Sequence, residues 1–152
     1  MARSEHTIRE AVAGDCEELQ ALFAEHAQYE GAAADIVASP QDIAASLFGE
    51  QPAAKCFVAE VDGRLAGYVT GSLEYSTWRA QHYLHMDCLY LREWARGQGL
   101  GTRLFSALLD WTRAGGLHRM EWQTPAGNAP AIGFYQRLGA THLAKARFSM
   151  TV

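Results

Sequence analysis

Cysteine is scarce in this chain, and its three cysteines form no recognisable framework. Cys16, Cys56 and Cys88 are odd in number, and no two of them are spaced as Cys-x-x-Cys. This pattern argues against the paired disulfides that stabilise small secreted domains. We therefore expect reduced thiols.

Long apolar runs are missing as well. No segment approaches the ~18 consecutive apolar residues that a membrane-spanning helix requires. The first residues, Met1 to His6, contain no apolar core of the kind found in signal peptides. These absences predict a cytoplasmic protein with no membrane partner.

An excess of basic residues is also absent. The net charge is −4 and the isoelectric point is near 5.8, whereas nucleic-acid-binding proteins usually carry a basic face. We therefore expect no nucleic-acid partner, and a mildly acidic surface suits a small cationic substrate. The rest of the composition is ordinary for a globular protein, with 49% hydrophobic and 20% charged residues. A length of 152 residues predicts a single domain over residues 1–152.

Hydrophobic periodicity predicts that strands and helices alternate along the chain. Asp15 with Glu18 three residues later is a helix start of the capping-box type, and Ser39 followed by Pro40 is a second helix start. The predicted elements are a strand over 7–12, helices to residue 29 and over 39–49, strands over 56–61, 65–75 and 83–91, a helix to about 114, a strand over 119–124, a helix over 129–138 and two strands within 140–152. This order, β-α-α-β-β-β-α-β-α-β-β, predicts a three-layer α/β domain with a mixed sheet.

The most informative segment runs from Arg96 to Thr102 and contains three glycines in five positions, between a predicted strand and a predicted helix. Bare backbone amides at the positive end of a helix dipole bind phosphate or pyrophosphate groups. The dinucleotide fingerprint requires a third glycine where this chain has Thr102, and the phosphate loop of nucleotide hydrolases requires a lysine that is missing here. Neither standard interpretation fits.

Two motifs instead resemble the GNAT family of N-acetyltransferases. Arg96-x-x-Gly99-x-Gly101 resembles the loop that holds the pyrophosphate of acetyl-coenzyme A. The segment from Asn128 to Ala140 resembles the family's Asn-x-x-Ala-x-x-Phe-Tyr-x-x-x-Gly motif, at the expected distance. The resemblance implies a GNAT-like three-layer α/β/α fold with a mixed, mainly antiparallel sheet.

Within the family the chain is most similar to the diamine and thialysine N-acetyltransferase group, over nearly its whole length. Matching segments are Ile8 to Ala11, Asp15-Cys16, Gln28 to Glu30, Leu47 to Glu50, Phe57 to Val61 and Tyr75-x-x-Trp78. Ser76 and Cys88 replace residues that are often acidic in the group, so a short amine or an amino-acid side-chain amine is as plausible a substrate as a long polyamine.

The resemblance implies direct acetyl transfer from acetyl-CoA, as cosubstrate, to a small primary amine: a diamine, a polyamine or an amino-acid side-chain amine. It implies a homodimer and no metal. A non-catalytic coenzyme A-binding module is the alternative from another class, and acetylation of a protein amine is a third possibility.

The resemblance also places the coenzyme. Backbone amides of the glycine segment would bind the pyrophosphate, the strand edge would pair with the pantetheine, and the N–H of Leu89 would donate to the thioester oxygen. For the strand side chains, plain sheet packing is the alternative, and for Asn128 helix capping explains the residue equally well. The residues implied in coenzyme binding are Leu89, Tyr90, Leu91, Arg96, Gly97, Gln98, Gly99, Leu100, Gly101, Thr102, Asn128 and Tyr135.

Three residues are candidates for proton transfer. Tyr135 resembles the family tyrosine that protonates the departing thiolate, and a phenol is protonated at neutral pH; the alternative is a buried aromatic. Asp87 stands where the related group has a glutamate and would take the amine's proton through water. His85 is the competing base, because imidazole exchanges protons near neutral pH. Strand alternation predicts His85, Asp87 and Leu89 on one face, where His85 and Asp87 could also form a hydrogen-bonded core pair.

Glu30 and Trp78, with Asp87, are the predicted substrate-binding residues, supplying an anion and a cation–π face for an ammonium group. Surface or packing roles for Glu30 and Trp78 are equally compatible with the sequence. Zinc binding by His82, His85 and Cys88 is disfavoured, because a strand places them on opposite faces. Cys88 is not expected to be a nucleophile, because no base accompanies it.

Overall fold

The computed structural model describes residues 5–33 and 37–152, and the chain divides into two compact units, one ending at Trp122 and one beginning at Gln123. The first unit contains strands β1 (His6–Glu10), β2 (Lys55–Val61), β3 (Arg64–Ser76), β4 (Gln81–Leu91) and β5 (Met120–Glu121), and helices α1 (Cys16–Tyr29), α2 (Pro40–Phe48) and α3 (Leu100–Ala114). The second unit contains helix α4 (Ala129–Arg137). The predicted order is confirmed from the first strand to the last helix. Within the described residues, no helix combines the length and apolar character needed to cross a bilayer.

The strands form one sheet in chain order, β1-β2-β3-β4-β5. The pairs from β1 to β4 are antiparallel, whereas β5 runs parallel to β4, opposite Leu84 and His85. Asp62 and Gly63 form the tight turn between β2 and β3, and both have positive φ angles, 50° and 78°. The prediction of a mixed, mainly antiparallel sheet is confirmed.

In the first unit, helices cover both faces of the sheet. On one face, α1 and α2 pack on β2 and β3 in a cluster that includes Leu19, Leu22, Ile43, Val58, Leu65 and Tyr68. On the other face Leu108 of α3 lies against Gly71 of β3, where an added Cβ would be 3.2 Å from the leucine Cδ2. The sheet is therefore the middle of three layers, as predicted.

The predicted start of α2 is confirmed, because the Ser39 hydroxyl accepts a hydrogen bond from the Asp42 N–H at 3.1 Å. The predicted capping box of α1 is wrong, since Asp15 makes no side-chain cap. Its carboxylate instead accepts two hydrogen bonds from the Arg9 guanidinium, at 2.8 and 2.9 Å. Glu18 accepts the N–H of Leu65 at 3.0 Å. Asp15 and Glu18 therefore bind groups on strands β1 and β3 instead of capping the first turn of α1.

The two final strands are not formed: residues 140–152 carry no strand, and Phe148 and Met150 are 91% and 86% exposed. The alternation of Phe148, Met150 and Val152 predicted a strand, but a strand requires a partner for its backbone groups. The second unit contains no strand among its residues 123–152. The strand predicted over 119–124 is likewise reduced to Met120–Glu121.

Candidate active site

The turn between β4 and α3 presents backbone amides that no side chain covers. Gly97 and Gly99 have φ angles of 74° and 76°, in the left-handed region that favours glycine, and Gly99 is the N-cap of α3. Among the described residues, none accepts a hydrogen bond from the N–H groups of residues 97–102. The first turn of α3 also contains no acidic residue. Unpaired donors and the positive end of the helix dipole together favour an anion at this turn.

The side chains of this turn hold its shape. The Arg96 Nε donates to the carbonyl of Leu91 at 3.0 Å, and the guanidinium lies over the rings of Tyr29 and Tyr90, 4.9 and 5.8 Å from their centroids. Gln98 Nε2 donates to the carbonyl of Trp94 at 3.2 Å. These contacts connect the turn to the end of β4 and to α1, which leaves the backbone amides as its unsatisfied donors.

A β-bulge interrupts β4 just before this turn. Thr70 of β3 pairs with Cys88 and Gly71 pairs with Met86, so Asp87 is an extra residue on β4. The expectation that His85, Asp87 and Leu89 share one face is therefore wrong for Leu89. Beyond the bulge, Cys88 and Tyr90 pack on the α1 side, and Leu89 falls on the other face.

The bulge exposes the Asp87 carboxylate beside two neighbours. Its side chain is 71% exposed, and its Oδ1 lies 4.0 Å from His85 Nε2. The Cys88 thiol donates to its other oxygen at 3.6 Å. The two predicted bases are thus brought together at the surface, and the expectation of a hydrogen-bonded core pair is not met. Burial, followed by the charge of Asp87, raises the pKa of the Cys88 thiol to about 11, so the thiol stays protonated.

A polar network that the sequence analysis missed lies beneath Glu30. His26 Nδ1 is 2.6 Å from the Tyr68 hydroxyl, and His26 Nε2 is 3.1 Å from Glu30 Oε1. Tyr90 stacks on the imidazole at 4.9 Å between ring centroids. His26 and Tyr68 occupy core positions in their helix and strand patterns, so periodicity alone predicts packing for both. The sequence signal that could have predicted this polar network is a buried helix histidine on the same face of the sheet as a tyrosine.

The acetyltransferase (GNAT) family model matches residues 16–140. The chain belongs to this family. Its similarity to a thialysine N-epsilon-acetyltransferase from Bos taurus is 29% identity over 147 residues, covering 91% of this chain and 86% of that protein. An L-methionine sulfoximine/L-methionine sulfone acetyltransferase from Pseudomonas aeruginosa is 40% identical over 77 residues, 49% of this chain and 45% of that protein.

The GNAT fold is also seen in solved structures. An aminoglycoside acetyltransferase from an uncultured soil metagenomic sample, in complex with trehalose, superposes with a TM-score of 0.83. The superposition covers 97% of this chain and 96% of that chain at 16% sequence identity. At that identity the similarity concerns the fold alone.

The second GNAT motif lies in the second unit. Asn128 accepts the N–H of Ala131 at 3.3 Å and so caps α4, which is the capping role that the sequence analysis left open. Tyr135 lies on α4, partly buried, with its ring 5.2 Å from that of Phe134. A functional role for either residue stays a prediction.

The two predicted ammonium-binding residues are not brought together by the fold of the first unit. Glu30 follows α1, next to His26, whereas Trp78 is 99% exposed in the turn between β3 and β4. That turn begins nine residues beyond Tyr68, or about 30 Å along an extended strand. Burial raises the pKa of the Cys88 thiol, and the charges of Asp87 and, more weakly, Glu30 add to that rise, so both carboxylates are within electrostatic range of the thiol.

A surface cavity of about 320 Å³ lies near the Trp78 turn. Its lining includes Arg79, His82, His118 and Arg119. None of the predicted site residues contributes to it. Within the described part of the chain, no three His, Cys, Asp or Glu side chains are grouped to hold a metal ion.

Proposed function

We propose that this GNAT protein transfers acetyl directly from acetyl-CoA to a small primary amine. The observation that carries the proposal is the amide turn from Gly97 to Thr102, which begins ten residues after Asp87, the exposed carboxylate of the bulged strand β4. The candidate anion site and the candidate cation site thus belong to one short segment of the chain. Acetyl-CoA supplies the activated acetyl group, and the residues present fit its pyrophosphate, because their amides have no acceptor among the described residues.

Charge supports an ammonium-bearing acceptor. The side chains of Glu30 and Asp87 are 51% and 71% exposed, so both reach solvent, and both act electrostatically on Cys88. Two exposed carboxylates within electrostatic range of the same thiol favour a cation over an anion in their surroundings. The thialysine N-epsilon-acetyltransferase from Bos taurus and the spermidine/spermine N(1)-acetyltransferase-like protein from Homo sapiens, 27% identical over 143 residues, are named for amines. A diamine, a polyamine or an amino-acid side-chain amine is the substrate class that we propose.

Acetyl transfer requires that the ammonium lose a proton, that the oxyanion be stabilised and that the departing thiolate gain a proton. We assign the first step to Asp87, with His85 4.0 Å away as the competing base. The N–H of Leu89 is the proposed oxyanion donor, and Tyr135 the proposed acid. A homodimer and a cytoplasmic location, both expected from the sequence, stay predictions.

The test is release of free thiol from acetyl-CoA in the presence of single amines: diamines, spermidine, thialysine, lysine and methionine sulfoximine. The expected result is amine-dependent release, with the acetylated amine identified by mass spectrometry. Binding of acetyl-CoA without release would favour the non-catalytic module, and release only with a protein acceptor would favour the third alternative. Absence of acetyl-CoA binding would overturn the proposal.

A further inference from the structure

Helix α1 ends beside Arg96, the residue directly before the amide turn. Cζ of the Arg96 guanidinium lies 4.9 Å from the ring centroid of Tyr29, the last residue of α1, and 5.8 Å from that of Tyr90 on β4. The two rings are 6.1 Å apart and are tilted by 54° to one another. Both guanidinium distances lie within the range of a cation–π interaction. One cation therefore joins rings that belong to two different elements.

A hydrogen bond connects Arg96 to the strand as well. Its Nε donates to the carbonyl of Leu91, the last residue of β4, at 3.0 Å. Among residues 5–33 and 37–152, no carboxylate forms an ion pair with this guanidinium. Ring faces and a carbonyl, rather than an acidic partner, therefore set the position of the Arg96 side chain.

The two rings differ in how firmly they are held. Tyr90 is partly buried and stacks on the His26 imidazole, with 4.9 Å between centroids and a tilt of only 16°. His26 Nε2 is 3.1 Å from Glu30 Oε1 and its Nδ1 is 2.6 Å from the Tyr68 hydroxyl, so both ring nitrogens have a partner. Tyr29, in contrast, is 62% exposed. Tyr29 is therefore the ring that can be replaced without disturbing the core.

The turn after Arg96 benefits from support by other elements. Gly97 and Gly99 have left-handed φ angles, and glycine loses more conformational freedom than any other residue when it is fixed in one shape. Donors that are already held in place lose less freedom when a ligand binds, which increases affinity. The contacts of Arg96 supply such support from α1 and β4.

We propose that Tyr29 and Tyr90 position Arg96, and through it the amides for the coenzyme pyrophosphate, so that the end of α1 is part of the coenzyme site. This inference rests on the proposed function and adds positioning residues to it. Tyr29 acts through Arg96 and makes no contact with the phosphates. Because Glu30 directly follows Tyr29, the coenzyme and the acceptor amine depend on the same end of α1.

The chemistry of Arg96 distinguishes positioning from a direct ionic contact with the coenzyme. If its charge bound a phosphate, Arg96→Lys would keep that charge and most of the affinity. A lysine ammonium is compact and has neither the planar face that stacks on rings nor the Nε donor for Leu91. Under the positioning role, Arg96→Lys should therefore lose nearly as much affinity as Arg96→Ala.

The test measures acetyl-CoA binding to the full chain by calorimetry. Tyr29→Leu should weaken binding about two- to fivefold, the worth of one exposed cation–π contact. Tyr29→Phe keeps the ring face and should bind as the wild type does. Tyr75→Leu is the control, because Tyr75 is similarly exposed, at 56%, and lies on β3; its affinity should not change.

A double-mutant cycle connects the effect of Tyr29 to Arg96. In an Arg96→Ala background, Tyr29→Leu should cause no further loss, because the two residues act as one unit. In steady-state kinetics, Tyr29→Leu should raise the KM for acetyl-CoA and leave kcat unchanged. Additive losses in the cycle would contradict positioning through Arg96.

The possible failures can be told apart. If the wild type does not bind acetyl-CoA, the proposed function fails and the positioning role fails with it. If the wild type binds acetyl-CoA, two results overturn the positioning role alone: wild-type affinity in Tyr29→Leu, or an equal loss in Tyr29→Phe. Urea unfolding of each variant checks that a change in affinity is not a loss of folded protein.

Discussion

The Arg92 guanidinium donates two hydrogen bonds to the Glu25 carboxylate, each 2.9 Å long, and a third to the carbonyl of Leu65. Arg92 is 8% exposed and directly follows β4, whereas Glu25 lies on α1 and Leu65 on β3. One side chain therefore joins three elements immediately before the glycine turn. The position of that turn relative to α1 depends on this paired charge.

Removing one partner of this pair should destabilise the first unit strongly. Glu25→Gln leaves the Arg92 charge without its counter-ion. Breaking a fully buried pair costs about 3–5 kcal/mol; because the Glu25 side chain is 42% exposed, we expect a smaller cost of about 2 kcal/mol, in the range of hydrogen bonds to charged groups. The exposed pair of Arg113 and Asp110, at 3.5 Å, provides the control, since Asp110→Asn should cost less than about 1 kcal/mol. Urea unfolding of both variants measures the difference, and equal midpoints would contradict it.

The glycine turn permits a matched pair of substitutions. Gly99 and Gly116 have φ angles of 76° and 77°, and an added Cβ at either meets nothing within 4 Å. Gly99→Ala and Gly116→Ala should therefore lose a similar stability, about 1–2 kcal/mol from the left-handed backbone. Only Gly99→Ala should weaken acetyl-CoA binding, measured by calorimetry, because Gly116 follows α3 at its other end. Equal loss of binding in both would argue that strain, rather than the amides, is responsible.

Acid should destabilise the protein partly through Asp15. Hydrogen bonding to Arg9 lowers the pKa of Asp15 below its ordinary value, with burial opposing and the Val12 N–H assisting. A carboxyl whose pKa is lower when folded contributes stability above its unfolded pKa, and that stability is lost as the pH falls through the folded value. The free energy of unfolding should thus decline below about pH 4. In Asp15→Asn the decline should be shallower, and an identical slope would contradict this role.

Tyr135→Phe tests the proposed acid. If the phenol protonates the leaving thiolate, kcat should fall about 10²-fold or more, while the KM for acetyl-CoA changes little. Tyr75→Phe removes a phenol hydroxyl from a side chain that is 56% exposed on β3, and should leave both constants unchanged. Steady-state kinetics on the two variants make the comparison. An unchanged kcat in Tyr135→Phe would remove this residue from the mechanism.

The identity of the base at the bulge is tested by Asp87→Asn and His85→Gln. The Asp87 carboxylate is the more exposed of the two groups, so Asp87→Asn should remove the neutral-pH limb of the kcat/KM profile. His85→Gln should retain that limb at a reduced rate. The opposite result would make His85 the base and would assign Asp87 to binding.

Much of this fold follows from local patterns in the sequence. Neighbouring residues alone determine the helical periodicity, the Ser39 cap and the Asp62-Gly63 turn. The structure confirms each of these predictions. The glycine turn was predictable for the same reason, because unpaired amides at a helix start depend only on the adjacent chain.

The features that escaped prediction are non-local. The bulge at Asp87 is defined by pairing with Thr70 and Gly71, which are distant in sequence. The hydrogen bond between His26 and Tyr68 joins residues 42 positions apart, and each alone resembles an ordinary core side chain. The two strands predicted within residues 140–152 are wrong because their local pattern was not matched by a non-local partner. Phe148 and Met150 have strand periodicity, but no strand among residues 123–152 pairs with them.

The single extra residue in β4 has one more consequence. Met86 and Cys88 pair with the adjacent residues Gly71 and Thr70, so deleting Asp87 would restore uninterrupted alternation and leave Cys88 and Tyr90 on the α1 side. The deletion would remove one carboxylate without turning any later side chain of the strand. The insertion thus adds an acidic group to the strand while the residues after it keep their packing.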